Sequence, residues 1–264
     1  MADPIASIKR LLTAVQTAGK EALESQSETE RDFKADGSVV TGADKALDEA
    51  LFNVIHRLYP AANILTEEAA RPFEPERPYT FAVDPIDGTD VYSQGMAGWC
   101  VSVALLDDSL TPIAGIIYAP RLDVLLFADV GRPATLNGKA ITPPEAASEL
   151  VAQANVMVTS RLHRHVNVCQ LPAKLRSIGS AALHLSFPLI YSVVFGTVEG
   201  PGGHVWDIAG AHAILRSHGM GFELLGGGDV DYTNMVRGGV VGDVMLAGHR
   251  SNIDALRGAL REEA

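Results

Sequence analysis

Apolar side chains recur at helical spacing through the first two long segments of the chain. Over about 4–25, Ile5, Ile8, Leu11, Leu12, Val15 and Ala18 share one face, and Asp3-Pro4 makes a good helix start. Over about 42–58, Ala43, Leu47, Ala50, Leu51, Val54, Ile55 and Leu58 do the same. The polar, glycine-punctuated stretch between them, FKADGSVVTGAD, reads as a loop or short hairpin. The period then changes. Residues 79–83, 99–106, 113–118 and 124–128 are short apolar runs bounded by turn residues, which predicts strands, and Asn137-Gly138 is a hairpin signal. Two helices followed by a meander make the first half α+β.

The second half alternates. Residues 151–158 and 175–178 read as strands, and 180–195 as a helix that Pro188 should kink. Residues 206–218 read as a helix closed by Gly219, 221–225 and 244–248 as strands, and 251–262 as a final capped helix. Such alternation predicts an α/β arrangement, with helices on the faces of a sheet. No repeat or long linker interrupts the 264 residues, so one domain with two halves, about 1–145 and 146–264, is the economical reading.

Composition narrows the class. The formal net charge is −11, which disfavours nucleic acid and anionic membrane as partners. No apolar run approaches the ~18 residues of a membrane span, and the amphipathic N-terminus has no signal-peptide core. A cytoplasmic protein is expected. Cys100 and Cys169 lack metal-type spacing and read as two buried, reduced thiols.

The acids carry the candidate chemistry. In FAVDPIDGTD an apolar run ends in Asp84, Asp87 and Asp90. Pro85 forces Asp84 into extended backbone, and Gly88 permits a turn. A plain surface turn would explain the pattern too, and Asp87 could simply cap a helix near Thr89. The run Ile64-Leu65-Thr66 also ends in acids, Glu67 and Glu68, which could be a solvated loop. Asp207 sits in a first helical turn, where the helix dipole alone favours an acid. If Glu67, Asp84, Asp87 and Asp207 converge, two charges about 4 Å apart repel by about 4 kcal/mol at an effective dielectric near 20. A cation must then neutralise them. Oxygen ligands without His or Cys select Mg²⁺ or a similar hard ion, and paired ions suit a phosphoryl displacement.

Five blocks in order carry a resemblance. Asp84-Pro85-Ile86-Asp87-Gly88-Thr89 resembles the DPIDGT motif of the inositol monophosphatase family, Mg²⁺-dependent, lithium-sensitive phosphomonoesterases. Val40-Thr41-Gly42-Ala43-Asp44, Thr66-Glu67-Glu68, Ile178-Gly179-Ser180-Ala181-Ala182 and Trp206-Asp207-Ile208-Ala209-Gly210 resemble the family's other elements. The resemblance implies a layered αβαβα sandwich and a homodimer. It implies two or three Mg²⁺ ions held by Glu67, Asp84, the Ile86 carbonyl, Asp87 and Asp207. Thr89 and Glu67 would orient and deprotonate the attacking water, with Asp44 positioning Thr89. Gly88, Thr89, Gly179, Ser180, Ala181, Asp87 and Asp207 would face the phosphate or the substrate. A small phosphorylated metabolite is the expected partner.

Two departures blur the substrate. Relatives read TNF or SNF after DPIDGT, where this chain has Asp90-Val91-Tyr92. Inositol-type enzymes also place an acid about seven residues before the WD aspartate. Here that position is Gly200, with Glu199 one step away in a glycine-rich loop that could be mobile, ending at His204. His204 either reaches substrate or is an exposed loop histidine. Inositol monophosphate or a related sugar or polyol phosphate is the first expectation. A 3′(2′),5′-bisphosphate nucleotidase would need basic residues, for which Arg161, His163, Arg164 and His165 are candidates. Fructose-1,6-bisphosphatase, histidinol phosphatase and a catalytically silent metabolite-binding relative are the other readings.

Overall fold

The computed structural model describes residues 4–129 and 131–261. Helices are α1 (Pro4–Ser25), α2 (Gly42–Leu58), α3 (Thr89–Ser93), α4 (Ala181–Ile190), α5 (Val205–Arg216), α6 (Tyr232–Met235) and α7 (Arg250–Arg261). The first seven strands are β1 (Asp32–Phe33), β2 (Val39–Val40), β3 (Asn63–Thr66), β4 (Thr80–Asp87), β5 (Cys100–Leu106), β6 (Pro112–Ala119) and β7 (Val124–Asp129). The remaining seven are β8 (Arg132–Leu136), β9 (Lys139–Ala140), β10 (Asn155–Val158), β11 (Lys174–Arg176), β12 (Val194–Glu199), β13 (Gly221–Leu224) and β14 (Met245–Gly248).

Strands β3 to β9 form one seven-stranded sheet in sequence order, antiparallel except for the β3–β4 pair. Strands β11-β10-β12-β14-β13 form a second, mixed sheet, and β1–β2 is a separate hairpin. Helices α1 and α2 cover one face of the large sheet, α4 and α5 lie between the sheets, and α7 covers the outer face of the small one. The chain is therefore a five-layered α/β sandwich. Three apolar clusters fill the spaces between layers. Because helices cover both its faces, β4 is buried at all eight positions, which is why its sequence runs apolar without alternating.

Helix α5 lies close to the large sheet through two glycines. A Cβ on Gly115 of β6 would sit 2.3 Å from the Gly210 carbonyl oxygen, so any side chain there would push the helix off the sheet.

Some expectations shift. The run predicted as one helix over 180–195 splits, with α4 ending at Ile190 and β12 starting at Val194. Pro188 lies inside α4 and cannot donate to the His184 carbonyl one turn back, and the Thr197 hydroxyl of β12 donates to that oxygen instead. The following Val193-Val194 pair suits a strand, and β12 pairs in parallel with β10. Strand 151–158 starts only at Asn155. The FKADGSVVTGAD stretch holds the β1–β2 hairpin. Cys100 is buried, but Cys169 is exposed, because it sits on a short turn, Val168–Gln170, that buries none of its residues. Asp3 and Glu262, at the predicted helix ends, lie outside the described residues. Among the described residues no helix is long and apolar enough to cross a membrane.

Candidate active site

Asp84 and Asp87 are three residues apart on β4, a spacing that strict alternation sends to opposite faces. Their partners on β5, Ser102 and Cys100, are only two apart and share a face. The extra residue is absorbed in a bulge at Pro85-Ile86, and a proline, having no N–H for the ladder, suits that position. Both aspartates thus emerge on the same side. The strand predicted to end at Val83 runs on to Asp87 for the same reason. Beyond it Gly88 turns the backbone with φ +97°, where any other residue would be strained.

A cavity of about 630 Å³ opens at this strand end. Glu67, Asp84, Ile86, Asp87, Gly88, Thr89, Gly179, Ala181 and Asp207 all contribute to its wall. Nine of the expected metal or substrate residues, the expected base Glu67 among them, therefore share one space. Asp44 and Ser180 do not face it. Both are fully buried one layer behind, and each grips a residue that does.

Asp44 belongs to α2 and forms its capping box: its Oδ2 accepts from the Thr41 N–H at 2.8 Å. Its other oxygen, Oδ1, accepts the Thr89 hydroxyl at 2.9 Å, and that hydroxyl is also 3.0 Å from the Ile86 carbonyl. Capping and positioning are thus the same carboxylate. Asp87 caps not the short α3 but the start of α4. Its Oδ2 accepts from the Ser180 hydroxyl and, at 2.7 Å, from the Ala182 N–H, and its Oδ1 from the Ala181 N–H at 3.2 Å. Ser180 in turn caps α4 by accepting from the Leu183 N–H at 3.0 Å. Asp207, in the first turn of α5, accepts from the His204 N–H at 2.7 Å.

Electrostatics set this cluster apart. Burial raises Asp84 well above the ordinary carboxylate range, and the charges of Glu67, Asp87 and Asp207 raise it further. Burial and then the charge of Asp87 do the same to Asp207, with Glu67 adding to them. Asp87 is raised to about 6 by burial, against the opposing pull of its bonds to Ser180, Ala182 and Ala181. Asp44 is raised by burial, against its bonds to Thr41 and Thr89. Acids this crowded need protons or a cation.

Their all-oxygen chemistry fits a hard divalent ion such as Mg²⁺, not Zn²⁺. The shell is not closed as folded. Among the described residues no three Asp, Glu, His or Cys side chains surround a point able to hold an ion. Glu67 points instead at Lys34, whose Nζ lies 2.8 Å from it and 2.7 Å from Glu68. Partial burial lowers the Lys34 ammonium, but the two carboxylates outweigh it and keep it above the usual lysine range. Lys34 went unremarked in the sequence. A lysine between Asp32 and Asp36 was the available signal, but only the hairpin's fold says what it reaches.

Of the remaining candidates, Asp90 and Glu199 reach the same cavity, and Tyr92 and His204 do not line it. Asp90 is exposed at the rim of that cavity, where it pairs with Arg31 at 2.5 Å. Tyr92 is fully buried, its hydroxyl donating to the Ala22 carbonyl and its ring edge-on to Trp99. His204 is half-buried and stacks on Trp206 rather than standing free in a loop. The glycine-rich loop before it is tied down, Gly202 N–H donating to the Val241 carbonyl and Val241 N–H to the Gly203 carbonyl. Glu199 is buried and 2.9 Å from His184 Nδ1. Because His184 Nε2 accepts from the Ile178 N–H, Nδ1 must carry the ring's only proton, so a neutral imidazole donates to Glu199.

Comparison with known proteins bears on the family and the fold. The model of the inositol monophosphatase family matches residues 5–263. Inositol monophosphatase 1 of Solanum lycopersicum is 31% identical over 199 residues, covering 70% of this chain and 72% of that protein. Among solved structures, the extragenic suppressor protein suhB of Bartonella henselae superposes with a TM-score of 0.85 at 23% identity, covering 98% of this chain and 100% of that one. The inositol monophosphatase of Anabaena (Nostoc) gives 0.77 at 26% identity, covering 98% and 97%. With its sandwich and its acidic cleft, the chain belongs to the inositol monophosphatase family, whose enzymes are phosphatases acting on phosphate monoesters.

Proposed function

We propose that the protein hydrolyses a small sugar or polyol phosphate monoester in a Mg²⁺-dependent reaction. The observation that carries this is the meeting of Glu67, Asp84, Asp87, Thr89 and Asp207 on one cavity, with the acids too crowded to ionise alone. Glu67, Asp84, the Ile86 carbonyl, Asp87 and Asp207 would hold the ions. When bound, Mg²⁺ neutralises phosphoryl oxygens, acidifies a water and stabilises the leaving alkoxide.

The chain's own residues do the positioning. Asp44 and the Ile86 carbonyl fix the Thr89 hydroxyl, which then aims the attacking water at phosphorus. Glu67, released from Lys34, accepts the water's proton. The N–H groups of Gly88 and Thr89 face the phosphate. Gly179 and Ala181 form the opposite wall, held in place by Asp87 and Ser180. On this reading the chain is one phosphatase domain, whose halves of about 1–145 and 146–264 share the cleft. It works as a cytoplasmic homodimer, and lithium inhibits it.

Phosphate release from a panel tests the proposal, with Mg²⁺ and with or without lithium. The panel holds inositol 1-phosphate, fructose 1,6-bisphosphate, histidinol phosphate and adenosine 3′,5′-bisphosphate. The expected result is metal-dependent, lithium-inhibited release from at least one member. Protein that binds Mg²⁺ yet turns over none of them overturns it.

A further inference from the structure

A second cavity of about 440 Å³ continues from the first. The two share Thr159, Arg161, Ala181, Glu199 and Asp207 as common wall. Arg164 and His165 line only the second. A few hundred cubic ångströms already hold a small ligand. The first cavity therefore suffices for a phosphorylated polyol, and the second is additional space with its own chemistry.

That chemistry is cationic and follows from a short turn after β10. Leu162 is buried in the core between the small sheet and α7. The Leu162 N–H donates to the Thr159 carbonyl, and the His165 N–H to the Leu162 carbonyl, so the turn is fixed at both ends. With Leu162 anchored inward, Arg161, Arg164 and His165, at i, i+3 and i+4, lie on a common outer face. Among the described residues neither Arg161 nor Arg164 forms an ion pair, although the chain carries a net charge of −11. Two unpaired, planar guanidinium forks beside an acidic cleft can each pair two N–H groups with two oxygens of a phosphate. The acids on this wall are otherwise engaged, Glu199 with His184 and Asp207 with the metal set.

We propose that the Arg161–Arg164–His165 wall binds a second phosphate on the alcohol part of the substrate, so the preferred substrate class is a bisphosphorylated sugar or polyol. This rests on the phosphatase reading: one phosphate is hydrolysed at the acidic cavity while the other anchors the molecule next door.

Two matched pairs test it: fructose 1-phosphate against fructose 1,6-bisphosphate, and inositol 1-phosphate against inositol 1,4-bisphosphate. In the pair that is turned over, the bisphosphate should have a kcat/KM higher on the order of tenfold, mostly through KM. Arg161→Met/Arg164→Met should bring that ratio near one, and Arg164→Met alone should lower it partway. Circular dichroism confirms that these variants fold. Equal kcat/KM within both pairs, or a preference that survives the double variant, overturns the subsite while leaving the phosphatase reading intact. Absence of phosphate release from all four compounds in Mg²⁺ overturns the phosphatase reading only when histidinol phosphate and adenosine 3′,5′-bisphosphate also stay intact. Calorimetric titration of metal-free protein with fructose 1,6-bisphosphate then still decides the subsite. Binding lost in the double variant supports it, and equal binding in both proteins overturns it.

Discussion

The two walls of the cleft are built on different principles. The wall from the large sheet carries Asp84, Asp87 and Thr89 on a buried strand and its following turn, Asp84 held by the Ile86 N–H of its own strand and the other two by bonds from other helices and their caps. The wall from the small sheet carries Arg161, Arg164 and His165 on a surface turn, with exposed side chains free of ion pairs. The first fixes atoms to within fractions of an ångström, as displacement at phosphorus requires. The second presents charge on adaptable side chains, which is enough to choose among alcohols. One scaffold thus separates chemistry, which tolerates little change, from selection, which tolerates much.

The sharpest way to break this contrast is at Asp84. Asp84→Asn should lower kcat/KM on the order of 10³-fold, as losing a preorganised charge at the reacting centre does. It should leave the metal-free protein as stable or more so in thermal unfolding, because one of the mutually repelling acids is gone. Near-normal turnover would refute a central role for Asp84 in holding the ions.

Thr89→Ala should cost about 10²-fold in kcat while calorimetric Mg²⁺ binding persists, and Thr89→Ser should recover most of the loss. Mg²⁺ affinity falling with kcat would mean that the hydroxyl serves the ion site rather than the water.

The acid cluster also predicts a pH dependence. Asp87 lies at about 6 in the folded chain against an ordinary 3.8, so the fold binds more protons than the unfolded chain between those values. Stability from this group is fully present below 3.8 and is lost as pH rises through about 6. The metal-free melting temperature should therefore carry a downward contribution across that window, roughly 2–4 °C per kcal/mol lost for a chain of this size. Stabilisation by Mg²⁺ should grow over the same window. Thermal scans with and without Mg²⁺ check both, and a Mg²⁺ effect independent of pH would speak against the acids as the ion site.

The smallest effect belongs to the exposed ion pair of Asp90 and Arg31. Its side chains are 64% and 38% exposed, so Asp90→Asn should cost about 0.2–1 kcal/mol and change kcat/KM by less than about twofold. A larger kinetic loss would place Asp90 on the substrate after all.

Much of this was legible in the chain. Helical periodicity gave α1 and α2 with bounds matching the structure, because each has one apolar face and a polar remainder. Helix α4 and strand β12 were run together because both are buried almost throughout and no glycine or proline marks the chain between Ile190 and Val194. Periodicity has no contrast to work with in such buried segments. The acidic residues were individually ambiguous between capping and chemistry, and for Asp44 and Asp207 the structure finds capping bonds on residues that also belong to the site or support it.

The sequence alone determined the residue types and their local backbone: DPIDGT with its proline and glycine, Thr41 ahead of α2, the acids at strand and helix ends. Those follow from sterics and hydrogen bonding within a few residues. Tertiary structure decided what meets. It set Ser180, 93 residues from Asp87, behind that carboxylate, brought Lys34 onto Glu67, and joined the Arg161–His165 turn to the same cleft. Such contacts arise only when separate elements pack together, because burial of apolar area fixes how the layers stack. The bulge at Pro85-Ile86 lies between these levels. Its proline can be read locally, but its consequence, two aspartates on one side of β4, exists only once β5 pairs alongside.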